Sequence, residues 1–114
     1  DNGLLNLFLI DPVTSLLENI VAISLKKKYE EELYFYQQNI EVDFYIPTAK
    51  LAVQVSYSLK EESTRKRETD ALLKIAETQA VETLLVITYD EEETIQKNGM
   101  EIKVIPIWKW LLDT

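Results

Sequence analysis

Two short segments hold the residues best placed for chemistry: Glu41-Val42-Asp43-Phe44-Tyr45-Ile46 and, after a brief loop, Leu51-Ala52-Val53-Gln54-Val55-Ser56-Tyr57-Ser58. Polar and apolar residues alternate in each, so each is predicted to be a strand with one wet and one buried face. Asp43, Gln54 and Ser56 share the polar parity. A hairpin with its tip at Thr48 and Ala49 sets Asp43 directly across from Gln54. The chain contains no histidine and no cysteine. Imidazole acid/base chemistry, Ser-His and Cys-His nucleophiles, thiolate metal sites and disulfides are therefore all excluded. Any catalysis must rest on carboxylates, amides, hydroxyls, lysines or a hard metal ion.

The elements that must position these residues follow from pattern. Leu16, Leu17, Ile20, Val21, Ile23 and Leu25 recur at roughly helical spacing, with Ser15 and Glu18 read as a capping box and Lys26-Lys27-Lys28 at the end that favours cations. Leu33-Tyr34-Phe35-Tyr36, within Glu31 to Gln38, reads as a further strand, which with the two above makes a three-stranded meander. A second helix is expected from Arg65 to about Gln79, capped from Glu61 to Thr64 and burying Leu72, Leu73, Ile75 and Ala76. Thr83 to Thr88 is almost wholly apolar, as in a strand covered on both faces and commonly parallel. Asp90 to Glu93 reads as a solvated turn, and Asn98-Gly99 is the strongest hairpin signal in the chain. Pro106 is expected to open a last short helix docking through Trp108, Leu111 and Leu112, and Trp108 and Trp110 are read as packing anchors.

Composition sets the limits. At 114 residues, 46% hydrophobic and 28% charged, the chain is expected to be one ordinary globular domain. Twelve basic against 20 acidic residues give a net charge of −8, which argues against a domain that grips a phosphate backbone unaided. No apolar run approaches a membrane span and no leader is recognisable, so we expect no membrane contact and a cytoplasmic location. The chain opens on Asp1 rather than Met, from which a piece of a longer protein is expected.

The hairpin resembles the metal-binding hairpin of the PD-(D/E)xK, or restriction-endonuclease-like, nuclease fold. The likeness narrows when further segments are added: Leu17-Glu18-Asn19-Ile20-Val21, Leu33 to Tyr36, Glu41 to Phe44, Gln54 to Ser58, Arg67-Glu68, and Ile105-Pro106-Ile107-Trp108-Lys109-Trp110-Leu111-Leu112. Together these are similar to the C-terminal domain of uncharacterised function found on many prokaryotic AAA-type ATPases. The resemblance implies an α/β fold over residues 1–114, a single three-layer domain with a mixed β-sheet flanked by helices around an αβββαβ core. It also implies an N-terminal ATPase domain in the parent chain as the immediate partner. With only two glycines no Walker-type phosphate loop is present, so nucleotide binding is not expected of this stretch.

Carried over residue by residue, the resemblance makes Glu18, Asp43 and Gln54 the metal positions and Asp43, Gln54 and Ser56 the catalytic ones. Gln54 stands where that fold has a second acid, and Ser56 where it has a lysine. Such a site holds Mg²⁺ with carboxylates and uses lysine to position water or stabilise charge on phosphate. Losing one such electrostatic group costs ~10²–10³ in rate, and here two are replaced. Simpler readings stand beside these: Glu18 as half of a cap, Asp43, Gln54 and Ser56 as a wet hairpin face, and Arg65-Lys66-Arg67 as a solvated helix start among Glu61, Glu62, Glu68 and Asp70. The expectation is a degenerate, non-catalytic accessory domain for scaffolding or contact with a protein partner, with no cofactor or only weakly held Mg²⁺ or Mn²⁺. The alternatives are a metal-dependent nuclease acting on DNA, and a non-cleaving DNA-binding module using Lys26 to Lys28 and Arg65 to Arg67.

Overall fold

A computed structural model describes residues 12–29 and 42–113. Helix α1 (Pro12–Tyr29) is followed by β1 (Phe44–Ile46), a 3-10 turn (Pro47–Ala49), β2 (Leu51–Val55), α2 (Glu62–Thr78), β3 (Thr83–Thr88), β4 (Glu93–Lys97), β5 (Met100–Pro106) and α3 (Ile107–Asp113). The strand expected within Glu31 to Gln38 and the segment Asp1 to Ile10 lie outside the described residues. The strands form one mixed five-stranded sheet in the order β1-β2-β3-β5-β4. β2, β3 and β5 run parallel, and β1 and β4 are antiparallel edges. This is a compact α/β domain in three layers.

The layers follow from strand parity. Tyr45, Ala52, Leu84, Val86, Ile102 and Val104 point to one side of the sheet and meet Leu72, Leu73 and Ile75 of α2. Phe44, Ile46, Val53, Val55, Leu85 and Ile87 point to the other, where α1 brings Leu17, Val21 and Leu25 and α3 brings Trp110. β3 is buried from Leu84 to Thr88, as its unbroken apolar run requires of a central parallel strand. α2 crosses between the parallel strands β2 and β3, the connection such a pair needs.

Four expectations are corrected. α1 starts at Pro12, so Ser15 and Glu18 lie inside its first turns and form no capping box; proline suits a first helical position, where its missing N–H goes unused. The parity holding Gln54 and Ser56 is not wet, because α2 packs over that side of the sheet and both residues are buried. Pro106 closes β5, paired with Thr88, instead of opening the last helix. α3 therefore takes its phase directly from the strand, so Trp110 is buried at 7% exposure, while Trp108 faces outward at 57% with Leu111 and Leu112. Trp110 is a packing anchor and Trp108 is not.

The Asn98-Gly99 hairpin forms as expected, with Lys97 opposite Met100 and positive φ at both turn residues, 52° and 76°. That is the conformation of a two-residue type I′ turn. A Cβ on Gly99 would meet nothing within 4 Å, so only the backbone conformation opposes a side chain there. Gly99→Ala should cost ~1 kcal/mol, read as a lowered urea midpoint with an unchanged m-value.

Candidate functional site

The register Phe44↔Val53 extends by one residue to place Asp43 beside Gln54, as the hairpin reading required. Two hydrogen bonds tie Asp43 to β2. The Asp43 backbone N–H donates to Gln54 Oε1 at 2.8 Å, and the Val55 N–H donates to Asp43 Oδ2 at 2.8 Å. Asp43 thereby continues the ladder with its side chain where β1 itself has ended. Gln54 is 2% exposed and also donates through Nε2 to the Glu68 carbonyl of α2 at 3.5 Å. Ser56 donates its hydroxyl to the Ser58 carbonyl at 3.0 Å while its N–H reaches the Ile87 carbonyl. The turn between β1 and β2 closes on Lys50, which takes φ 51° and returns its N–H to the Pro47 carbonyl.

Two further carboxylates lie within electrostatic reach of Asp43. Glu18 comes from α1, and its pKa is raised to about 7, first by burial and then by the Asp43 charge. Glu68 comes from α2 and is also raised to about 7, by burial first and by Asp43 second, with Glu18 adding to the repulsion. Arg67 opposes the rise through a 3.3 Å contact, but its guanidinium is largely in water and the desolvation of Glu68 prevails. A cleft of about 550 Å³ opens here, lined among others by Asp43, Gln54, Arg67, Glu68, Lys74 and Glu77.

Glu68 is the site residue that the sequence reading left unassigned. Helical spacing could have found it, since Glu68 precedes the buried Leu72 and Ile75 by four and seven residues and so lies on the inward stripe of α2. Glu18, Asp43 and Glu68 influence one another electrostatically, yet among the described residues no group of three acidic side chains is arranged to hold a metal ion. Charges act on each other over distances at which they cannot share one ligand. In this arrangement the Gln54 carbonyl oxygen and one Asp43 oxygen bind backbone N–H groups. Of the expected ligand set Glu18, Asp43 and Gln54, only the two carboxylates carry charge that a cation could neutralise.

The basic residues at the start of α2 are paired. Arg65 makes a two-pronged contact with Glu93 at 2.8 Å per bond, Lys66 reaches Asp70 at 2.7 Å, and Arg67 contacts Glu68. Asp70 also receives Lys97, and its pKa falls to about 2 through hydrogen bonds from Lys66 and then Lys97. Lys26, Lys27 and Lys28 are exposed at the end of α1, on a different element from Arg65 to Arg67. No helix among the described residues is long and apolar enough to cross a membrane. Compared with protein-family models, curated proteins and solved structures, the chain matches none of them.

Proposed function

We propose that this chain is a non-catalytic accessory domain of an AAA-type ATPase, built on a restriction-endonuclease-like frame and used for contact with a protein partner. The supporting observation is the pair of hydrogen bonds that tie Asp43 to the Gln54 side chain and to the Val55 backbone. The atoms that a nuclease hairpin would turn toward a cation here close the backbone ladder, and the position expected to hold lysine is a buried serine bonded to its own loop. A hairpin so committed positions α2 against the sheet and supplies no positive charge to a phosphate. The test is incubation with plasmid and branched DNA in Mn²⁺, alongside calorimetric titration of the metal. The expected result is no cleavage and no binding tighter than about millimolar. Cleavage abolished by Asp43→Ala would overturn the proposal.

One observation favours a second reading, a metal-dependent nuclease with a displaced acid. Glu68 brings a carboxylate to the edge of the site that lost one at Gln54, and the raised pKa values of Glu18 and Glu68 mark a place where positive charge would be stabilised. This reading requires the Asp43 and Gln54 side chains to turn away from their backbone partners. It predicts that Mn²⁺ raises the melting temperature of the wild type and not of Asp43→Ala.

A further inference from the structure

The loops leaving the parallel strands β2 and β3 display two aromatic rings together. Tyr57 and Tyr89 stack with centroids 5.3 Å apart and planes inclined by 19°. Both are turned to solvent, at 42% and 50% exposure. Their backbone is held firmly. The Tyr89 N–H donates to the Tyr57 carbonyl at 3.1 Å, and the Tyr57 N–H donates to Thr14 Oγ1 of α1 at 3.2 Å. Glu91 does not behave as part of a wet turn: its carboxylate accepts the Leu59 N–H at 2.9 Å and the Ser58 hydroxyl, locking one loop to the other. Thr88 Oγ1 accepts the Glu91 N–H at 3.0 Å and donates to the Glu91 carbonyl at 2.9 Å. Two half-exposed rings on so fixed a base lose little freedom on meeting a partner, which is what an aromatic anchor requires.

The charge beside the rings selects the occupant. Asp90 and Glu92 are exposed in the same loop, Glu92 pairing with Lys109 of α3, in a chain of net charge −8. Such a field repels phosphate and attracts cations. We propose that the Tyr57–Tyr89 stack and the Asp90 loop dock an arginine-bearing segment of a partner protein, its guanidinium planes lying on the tyrosine rings and its charge facing the loop. Arginine fits better than lysine because its planar group stacks on an aromatic face while donating to carboxylates. This deepens the accessory-domain reading by naming the chemistry of the partner, and it rests on that reading.

The test is fluorescence polarisation with a fluorescein-labelled peptide of alternating arginine and glycine, and with its lysine counterpart. The arginine peptide should bind the wild type and Tyr89→Phe, and the lysine peptide should bind more weakly. Tyr57→Leu combined with Tyr89→Leu should weaken binding about tenfold, with an unchanged circular dichroism spectrum. Asp90→Asn should weaken it less and flatten its salt dependence. Binding indifferent to the double tyrosine substitution would overturn the inference, as would displacement of the peptide by an oligonucleotide, or concentration-dependent dimerisation lost in the same variant. DNA cleavage that requires Asp43, with peptide binding intact, would instead strike the accessory-domain reading alone.

Discussion

Gln54→Glu is expected to destabilise the fold by ~3–5 kcal/mol at pH 8 in the presence of EDTA, the cost of an uncompensated buried charge. The side chain is 2% exposed and lies between the Asp43 backbone and α2. A glutamate keeps the acceptor for the Asp43 N–H but replaces the amide donor with a second anionic oxygen facing the Glu68 carbonyl. It also adds charge where Asp43 already raises the pKa of Glu68. Urea denaturation measures the loss. A variant within ~1 kcal/mol of wild type would show that Gln54 is not held as described, since a well-solvated change costs no more than that. Mn²⁺ separates the two functional readings. Recovery of most of the lost stability on adding the ion would indicate a restored cation site, whereas no recovery is expected of an accessory domain.

Stability should also fall as the solution is made alkaline from pH 5 to pH 8. Glu68 has a folded pKa of about 7 against 4.5 for the ordinary side chain. The folded state therefore holds the proton more tightly than the unfolded chain, so this contribution is complete below pH 4.5 and is lost as pH rises through about 7. One pKa unit corresponds to ~1.4 kcal/mol, and a mostly buried carboxyl shifted this far should cost on the order of 2 kcal/mol across that window. Glu18 acts in the same direction, but it is less deeply buried than Glu68, so its share is smaller. Asp70 runs the opposite way, its stabilisation being lost only as pH falls toward about 2, and it leaves the window flat. Glu68→Gln should remove most of the slope. Asp43→Asn should reduce it as well, because it keeps an acceptor for the Val55 N–H while deleting the charge that repels Glu18 and Glu68. Denaturation midpoints that rise with pH, or a slope unchanged in both variants, would refute the carboxylate coupling.

These two expectations concern a site only partly visible in the linear chain. Spacing alone put Asp43 opposite Gln54, because a short turn leaves little choice of register once two alternating segments must pair. It equally identified the Asn98-Gly99 hairpin, the buried parallel β3 and the stripe of α2 through Leu72 and Ile75, all of which are local patterns. Assigning solvent to the Gln54 and Ser56 parity failed, because polarity shows which residues can tolerate water and not which side of a sheet a distant helix will cover. The docking face of α3 was misread for a related reason: seven residues are too few for their own periodicity to set a phase, and β5 sets it instead.

Composition determined what this stretch of chain cannot itself supply, namely imidazole, thiolate and a glycine-rich phosphate loop, since chemistry without its atoms is excluded before any folding occurs. Tertiary structure decided that α1 and α2 bring Glu18 and Glu68 to one hairpin and that loops more than thirty residues apart stack Tyr57 on Tyr89. The physical reason is range. Hydrogen-bond ladders and helical periods act between near neighbours in the chain, whereas desolvation and charge repulsion act between whatever the packed layers place side by side.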